Sequence, residues 1–325
     1  MHITTIGLDL AKNIFQVHGI TETGEVAFNR ALRRSQVLEF FSRLEPCLVG
    51  MEACASGHHW ARELSKLGHD VRVIPPAYVK PYVKRGKSDA VDAEAICEAV
   101  TRPTMRFVEV KTTQQQAILA VHRSRDLVVR QRTQTINMLR AQLAGFGVVL
   151  PQGVGHALQF AKCCCRGEPP SLPGEMTKVI GELCEQLLFL HDKALSYMRQ
   201  LRQIARQEKR VALLQTIPGV GPITASAIVA TIGSGRQFNN GRAFAAWLGL
   251  TPLNKSSGGK ERLGLISKMG DQYIRRLLVL GMTSRIRRIH KTPEAFYPWF
   301  APIVSRKPGK VATIAMANKP ARMIW

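Results

Sequence analysis

The order of apolar segments in the first hundred residues limits the folds that this chain can adopt. Three short apolar runs come first, and the turn Thr21–Gly24 joins the second to the third. Segments with helical periodicity then alternate with two further short apolar runs. The predicted strands are Ile3–Leu10, Phe15–Ile20, Val26–Ala31, Cys47–Met51 and Val71–Ile74, and the predicted helices are 35–44, with Ser35 as its cap, Ser56–Leu67 and Asp89–Val100. This order predicts an α/β sheet.

Four acidic side chains fall at related places in this sheet. Asp9 ends the first predicted strand and Glu52 lies just past the fourth. If those strands are neighbours, the two acids lie side by side at one edge of the sheet. Asp89 and Asp92 share one face of a helix that Ser88 caps, and this helix can close over them. The order of elements is compatible with a ribonuclease-H-like α/β domain.

Four carboxylates at one place repel each other unless a proton or a cation lies between them. Carboxylate oxygens are the ligands that Mg²⁺ prefers, so the pattern predicts a magnesium site. Each acid also has a simpler interpretation. Asp89 and Asp92 suit the first turn of a helix through its dipole, Asp9 suits a turn at a strand end, and Glu52 suits the start of a helix.

The net charge predicts a polyanionic partner. There are 46 Lys and Arg against 23 Asp and Glu, which gives +23 and a pI near 10.3. The positive charge is spread along the chain instead of along one amphipathic helix, which favours nucleic acid over a membrane surface. No apolar run is long enough to span a membrane and no secretory signal is present, so a cytoplasmic, nucleoid-associated protein is expected. The seven cysteines contain no CxxC pair, which predicts neither a disulfide framework nor a zinc site.

The remainder of the chain is predicted to be mostly helical. Residues 112–147 and Val179–Ile204 are predicted as two long helices that pair as an antiparallel hairpin or as a dimer seam, and Pro151–Pro173 is predicted as a loop between them. Ile217–Gly221 resembles the turn of a helix-hairpin-helix, whose glycines Gly219 and Gly221 let the backbone approach a phosphate. A glycine turn between packed helices is the alternative.

Positive side chains cluster near these motifs. Thr251–Gly264 is predicted as a flexible loop with hydroxyls between cations, and residues 275–325 contain eleven Lys or Arg against Glu294 alone. Aromatic side chains at Phe296, Tyr297, Trp299 and Phe300 suit packing or base stacking. The predicted nucleic-acid-binding residues, besides the two glycines, are Lys84, Arg85, Lys87, Lys260, Arg262, Lys268, Arg275 and Arg276.

Five motifs in this order resemble one family of recombinases. They are Gly7–Lys12, Gly50–Ala53, Lys87–Ala93, Ile217–Gly221 and Ser256–Gly264. Together they resemble the DEDD transposases of the insertion-sequence one-ten and one-eleven-eleven group. The resemblance covers nearly the whole chain and is weakest at Pro151–Pro173. The chain ends at Met323–Ile324–Trp325, which leads us to expect a shortened final helix.

The resemblance implies three parts. Residues 1–105 would form a RuvC-like domain that holds Mg²⁺, or Mn²⁺ as a substitute, through Asp9, Glu52, Asp89 and Asp92. Residues 106–210 would form a helical coiled-coil connector used in oligomerisation. Residues 211–325 would form the transposase domain with the helix-hairpin-helix. Its serine would attack a DNA phosphate and form a phosphoserine link; Ser257 matches by position, and Ser256 is the adjacent alternative.

The resemblance also implies the partners. A structured noncoding guide RNA would pair with donor and target DNA, and dimers would assemble into tetramers. Because a serine hydroxyl is a weak nucleophile, it needs a base, a metal ion or both. Lys260, Arg262 and Lys268 would then neutralise charge on the phosphorus or simply bind a nucleic-acid backbone. Two other functions remain open: a metal-dependent Holliday-junction nuclease that uses water, and a non-catalytic nucleic-acid-binding protein.

Overall fold

The computed structural model describes residues 2–84, 86, 88–260, 262–289 and 301–325. Its strands are β1 Ile3–Asp9, β2 Ile14–Thr21, β3 Val26–Arg33, β4 Leu48–Glu52, β5 Asp70–Ile74, β6 Pro252–Asn254 and β7 Leu263–Ile266. Its helices are α1 Val37–Ser42, α2 Gly57–Lys66, α3 Pro76–Val79, α4 Asp89–Val100, α5 Thr113–Ala144, α6 Val154–Cys165, α7 Gly174–Gln207, α8 Lys209–Leu214, α9 Pro222–Ile232, α10 Gly241–Trp247, α11 Gln272–Ile289, α12 Ala301–Arg306 and α13 Gly309–Ile324. Unit 1 comprises Met1–Thr113 and Ile232–Asn239, and unit 2 comprises Gln114–Thr231 and Asn240–Trp325. The aromatic group at 296–300 lies outside the described residues, as do Arg85 and Lys87.

Unit 1 is built on a five-stranded sheet with the order β3-β2-β1-β4-β5. The first three strands form an antiparallel meander, while β1, β4 and β5 are parallel. In the parallel pair, Leu8 lies opposite Met51, so Asp9 and Glu52 follow at the same end of the sheet. The predicted α/β sheet and the predicted neighbourhood of the first and fourth strands are both confirmed.

Helices cover both faces of the sheet. Alternate residues of the strands pack with Val37, Phe41, Trp60 and Leu64 from α1 and α2 into one core. On the opposite face, Ile96 and Val100 of α4 join a second core. Two glycines let α4 lie directly on the strands. A Cβ on Gly7 would be 2.0 Å from the carbonyl oxygen of Ala93, and a Cβ on Gly50 would be 2.7 Å from the Cβ of Val100.

The ends of two helices in unit 1 differ in their capping. The Ser88 side chain accepts a hydrogen bond from the backbone N–H of Val91 (3.4 Å), so the predicted cap of α4 is confirmed. Ser35 does not cap α1, in contrast to the prediction. It lies in a 3₁₀ turn at Arg34–Gln36, and α1 begins two residues later. The longer, amphipathic helix expected over 35–44 is therefore divided into a tight turn and a short helix.

A segment from late in the chain completes unit 1. The Glu109 carboxylate accepts hydrogen bonds from the backbone N–H of Ser234 (3.1 and 3.2 Å) and from its hydroxyl (3.1 Å). Gly233 has a φ of 59°, and a Cβ there would be 2.6 Å from the Glu109 carboxylate.

The division of the chain into three domains, 1–105, 106–210 and 211–325, stays a prediction.

The first half of unit 2 is a layer of long helices. Apolar residues of α5, α6 and α7 form one core that includes Leu139, Ala161 and Leu187. The prediction that Pro151–Pro173 is a loop is therefore wrong for its central part, because Ala157 and Ala161, one turn apart, let α6 pack closely in this core. Whether α5 and α7 act as a coiled coil stays a prediction.

The second half of unit 2 contains short helices and a hairpin. Strands β6 and β7 pair antiparallel, so Thr251–Gly264 is more ordered than the flexible loop that was predicted. Helices α10 and α11 pack against α13. The helix-hairpin-helix stays a prediction for α8, the turn at Ile217–Gly221 and α9. No helix within the described ranges is both long and apolar enough to cross a membrane.

Candidate active site

The sheet and α4 bring the four predicted acids to one end of unit 1. Asp9 and Glu52 are the last residues of two neighbouring parallel strands. Because side chains alternate along a strand, Asp9 points to the same face as Gly7, and Glu52 to the same face as Gly50. That face carries α4, whose first turn contains the exposed Asp89 and the half-buried Asp92. The two glycines therefore set how closely this turn approaches the strand ends.

The charges of these acids affect one another. Burial raises the pKa of Asp9, and the negative charges of Asp92 and Asp89 raise it further, while the backbone N–H of Leu10 opposes the shift. Burial also raises the pKa of Glu52, with further contributions from Asp9 and Asp92. Asp9 and Glu52 are thus harder to ionise, first because they are partly buried and then because other carboxylates are near. A cation placed among them would relieve this repulsion.

The donors suit a hard divalent cation in their chemistry. All four are carboxylates, and such oxygen ligands are preferred by Mg²⁺ and Mn²⁺. In the part of the chain that the structure describes, no three His, Cys, Asp or Glu side chains are gathered closely enough around one point to hold a metal ion. The four carboxylates therefore suit a divalent metal ion in their chemistry and in their location at one end of the sheet. Their side chains are not gathered into a coordination shell.

The basic residue that leads into α4 is bound within unit 1. The ammonium of Lys84 lies 2.5 Å from the Glu94 carboxylate, and this contact raises the pKa of Lys84 and lowers that of Glu94. Lys84 is exposed beside the acidic end of α4. Its predicted contact with nucleic acid, and those of Arg85 and Lys87, stay predictions.

The predicted serine lies at the tip of the β6–β7 hairpin. The backbone N–H of Lys260 donates to the carbonyl of Ser257 (3.1 Å), and Gly258 and Gly259 between them have φ of 55° and 75°. Two successive positive φ values are those of a type I′ turn, which only glycine, asparagine or aspartate readily adopts. The Ser-Gly-Gly-Lys sequence therefore closes a tight turn and exposes Ser257 at its corner.

The two adjacent serines differ in their hydrogen bonds. The Ser256 hydroxyl accepts a hydrogen bond from the backbone N–H of Arg262 (3.0 Å), across the hairpin. The backbone N–H of Ser256 donates to the side chain of Asn254 (2.8 Å). The Ser257 hydroxyl has no hydrogen-bond partner among the described residues and is exposed. Ser256 thus stabilises the hairpin, and Ser257 leaves its hydroxyl available.

The cations predicted near the serine have different surroundings. Lys260 and Arg262 are exposed on the hairpin, and Lys268 has a φ of 54°, which is unusual for a residue with a side chain. The guanidinium of Arg275 donates to the carbonyls of Leu248 (2.8 Å) and Met269 (2.6 Å), and Arg276 pairs with Asp126. These two arginines hold unit 2 together. Their contact with nucleic acid stays a prediction.

The two glycines of the predicted helix-hairpin-helix turn have different environments. Gly219 has a φ of 81°, and a Cβ there would be 1.9 Å from the terminal carbon of Met282 in α11. Gly221 has open space beside it, immediately before Pro222 at the start of α9. The positive φ therefore favours glycine at position 219, while the backbone at 221 has open space beside it.

One group of residues was not predicted from the sequence. Arg33 and Arg34 line an open cavity at the end of the sheet where Asp9 lies. The available signal was a pair of arginines just past the third predicted strand, Val26–Ala31, with no acid within three residues to offset their charge.

Comparison with known proteins gives a consistent result. A sequence profile described as a DEDD transposase of the IS110 type matches residues 6–147, and a second, described as "Transposase IS116/IS110/IS902 family", matches residues 211–298. A Pseudomonas aeruginosa protein named "Probable family 20 transposase" is 46% identical, over 100% of this chain and 96% of its own. The transposase for IS1328 of Yersinia enterocolitica is 38% identical over 100% and 96% of the two chains, and that for IS1111A of Coxiella burnetii is 35% identical over 99% and 89%.

Proposed function

The chain belongs to the IS110/IS1111 family of DEDD transposases, enzymes that cleave and recombine DNA, and we propose that it moves its insertion sequence through a phosphoserine intermediate. The observation that carries the proposal is that Asp9 and Glu52 end neighbouring parallel strands beside the first turn of α4, where the charge of Asp92 adds to the raised pKa of both. We propose that these acids, with Asp89, hold Mg²⁺ or Mn²⁺. A bound divalent ion would stabilise the negative charge on the attacked phosphate.

Ser257 is the proposed nucleophile. Its exposed hydroxyl has no partner among the described residues, whereas the Ser256 hydroxyl is occupied in the hairpin. In the proposed step, Ser257 Oγ forms a bond to a DNA phosphorus while the bond from phosphorus to a sugar oxygen breaks. The serine proton leaves to a base, and the released sugar oxygen takes up a proton. Lys260 and Arg262 on the same hairpin supply positive charge to the phosphate.

In this proposal, positively charged side chains bind the phosphate backbone of the nucleic acids. The net charge of +23 supports binding to both donor and target DNA and to a structured guide RNA that pairs with them. The proposed contacts are Lys84, Arg85, Lys87, Gly219, Gly221, Lys260, Arg262, Lys268, Arg275 and Arg276. The long helices α5 and α7 are proposed to join two chains into dimers that form tetramers. Sequencing the RNA that copurifies with the protein tests the guide; recovery of only random fragments would contradict it.

Trapping the covalent adduct tests the nucleophile. We expect wild-type protein incubated with labelled element-end DNA to retain label after denaturation, and Ser257→Ala to lose it while still binding DNA. Ser256→Ala is the matched control, because it removes a neighbouring hydroxyl and should keep the adduct. An adduct that persists in Ser257→Ala would contradict the assignment. Cleavage without an adduct in the wild type would indicate a nuclease that uses water.

The acids are tested separately. We expect Asp92→Ala to lose divalent-metal-dependent strand cleavage, because it removes a proposed metal ligand whose charge raises the pKa of both Asp9 and Glu52. Glu98→Ala, on the same helix but paired with Arg102, is the control and should cleave normally. Undiminished cleavage by Asp92→Ala would mean that the acids are structural. Binding with no cleavage in any metal would indicate a non-catalytic protein.

A further inference from the structure

A cavity of about 670 Å³ opens at the end of the sheet where the acids lie. It is lined by the start of β2, the end of β3 and the first turn of α2. Ile14 on β2 lies opposite Arg33 on β3, and Gln16, two residues along, lies opposite Asp9. The cavity and the acids therefore share one edge of unit 1, and the presence of Trp60 places the cavity on the α2 side.

The wall of the cavity is positive. Its polar lining residues are Asn13, Arg33, Arg34, Ser35 and His59, and no carboxylate is among them. Both arginines are exposed, and neither forms an ion pair with a carboxylate of the described residues. In contrast, Arg43 pairs with Glu39 elsewhere on unit 1. Two neighbouring guanidinium groups without acids are a site for an anion.

Arg34 is held in place before any ligand binds. Its guanidinium carbon lies 5.1 Å from the centre of the Trp60 ring and 5.8 Å from that of Phe15, within the range of cation–π contacts. Its backbone N–H donates to the carbonyl of Asn13 (2.8 Å). Because stacking occupies one face of the guanidinium and none of its N–H groups, these donors stay available to a ligand. Ordering the arginine in advance lowers the entropic cost of binding.

Trp60 forms part of the cavity wall. It is 4% exposed and lines the cavity, and its indole N–H is buried without an acceptor among the described residues. Because this N–H has almost no exposed surface, a ligand in the cavity would contact other parts of the Trp60 side chain, beside Arg34.

We propose that this cavity binds a backbone phosphate of the nucleic-acid strand that runs to the acids, with Arg33 and Arg34 as its donors. The inference rests on the proposed function, since it assumes that a strand reaches that sheet edge. A phosphodiester matches the fixed positive wall, and an open cavity suits a strand that passes through it better than an enclosed small molecule. The two arginines are positioning residues, and they set which phosphate along the strand reaches the carboxylates.

The test uses the full chain with EDTA, so that binding is measured without cleavage. Binding of labelled single-stranded DNA and of RNA of the same sequence is measured over a salt series for wild type, for Arg33→Gln/Arg34→Gln and for Arg43→Gln/Lys66→Gln. The control pair removes the same charge from residues that already have acidic partners. We expect the cavity variant to flatten the slope of log K against log salt by about 0.7, the value for one phosphate contact on a single strand, and the control variant to flatten it by much less. Whether the slope changes for DNA or for RNA shows which of the two nucleic acids supplies the phosphate.

Equal slopes in the two variants, or an unchanged slope in the cavity variant, would overturn the proposal. Arg33→Lys/Arg34→Lys keeps the charge and should retain most of the slope, which a variant that merely unfolds would not. As a positional readout, p-benzoylphenylalanine in place of Ser35 should crosslink to the strand, and in place of exposed Ser42 should not. If the cavity variant shows the expected change in slope but the Ser257→Ala adduct persists, the phosphoserine proposal is wrong and the proposed phosphate site is supported. If the adduct is lost in Ser257→Ala but the slope of the cavity variant is unchanged, only the proposed phosphate site is wrong.

Discussion

At the scale of single residues, Gly7 has the greatest effect on the candidate site. A Cβ there would be 2.0 Å from the Ala93 carbonyl oxygen and 2.5 Å from the Cys97 backbone nitrogen. Neither is the end of a flexible side chain, so Gly7→Ala must push α4, with Asp89 and Asp92, away from the strand ends. We expect a loss of about 1–3 kcal/mol in the free energy of unfolding and a loss of metal-dependent cleavage. Urea unfolding and a cleavage assay on the folded variant measure the two effects.

The control for this prediction is Gly181→Ala. Gly181 lies within α7, and apart from the adjacent backbone of that helix no described atom would come within 4 Å of its new Cβ. Since glycine in a helix is less favourable than alanine, this variant should gain about 0.5–1 kcal/mol and cleave normally. A Gly7→Ala protein with wild-type stability and cleavage would show that close packing of α4 does not position the acids.

His122 makes the stability of unit 2 depend on pH. Its Nε2 forms a hydrogen bond with the Ser226 hydroxyl (3.1 Å), and its Nδ1 forms one with the Tyr273 hydroxyl (3.0 Å). Burial, with the nearby charge of Arg125, lowers its pKa to about 4, below the usual 6.5. The unfolded chain therefore binds a proton more readily than the folded chain between these values. The stability is complete above pH 6.5 and falls by roughly 3 kcal/mol as the pH drops toward 4.

The measurement compares urea midpoints of the wild type and His122→Gln between pH 7.5 and 4.5. Glutamine cannot titrate, so the variant should be less stable than the wild type at pH 7.5, and the difference should shrink as the pH falls. A difference that stays constant over this range would mean that another group accounts for the pH dependence. Tyr273, whose pKa burial raises, ionises well above this window and does not interfere.

At the scale of elements, the turn of the β6–β7 hairpin determines where Ser257 points. Gly258 and Gly259 have the positive φ values of a type I′ turn. We expect Gly258→Asn to retain the covalent adduct, because asparagine tolerates this conformation. Gly258→Val should lose most of the adduct, since a β-branched residue at positive φ costs roughly 1–2 kcal/mol and the turn would open. Adduct yield after denaturation measures both, and equal yields would show that the turn does not position the serine.

The elements of unit 1 could be predicted from the sequence better than those of unit 2. The strands of the sheet and α4 carry clear local signals, such as the Ser88 cap and the apolar run before Asp9. Helix α6 was missed because prolines and glycines surround it and because its fully buried residues, Ala157 and Ala161, are small. Ala157 and Ala161 have no strong periodic signal of their own, and only the neighbouring helices make them core positions.

The position of the four acids could be predicted from the sequence, whereas the cavity beside them could not. Four acids on successive elements indicated a site because parallel strands end at the same edge. The cavity beside it depends on the side-by-side placement of β2, β3 and α2, and Trp60 comes next to Arg34 only through tertiary packing. Residues 34 and 60 are distant in sequence, so no spacing rule connects them.

At the scale of the whole molecule, the net charge of +23 predicts a strong dependence of binding on salt. If six to ten phosphates are neutralised, the association constant for duplex DNA should fall by about 10³–10⁵ between 50 and 200 mM salt. Filter binding or fluorescence anisotropy over this range measures the slope. A fall of less than about tenfold would mean that few phosphates are contacted and that the charge serves another purpose.

The contact between Glu109 and Ser234 has a consequence for protein synthesis. Unit 1 consists mostly of the first 113 residues, yet it also includes Ile232–Asn239. A ribosome that adds roughly 5–20 residues per second needs several more seconds to make that segment after the sheet has emerged. The acid-bearing unit is therefore incomplete on the nascent chain until most of unit 2 has been translated. A transposase built in this way completes the unit that carries Asp9, Glu52, Asp89 and Asp92 only after most of its chain has been made.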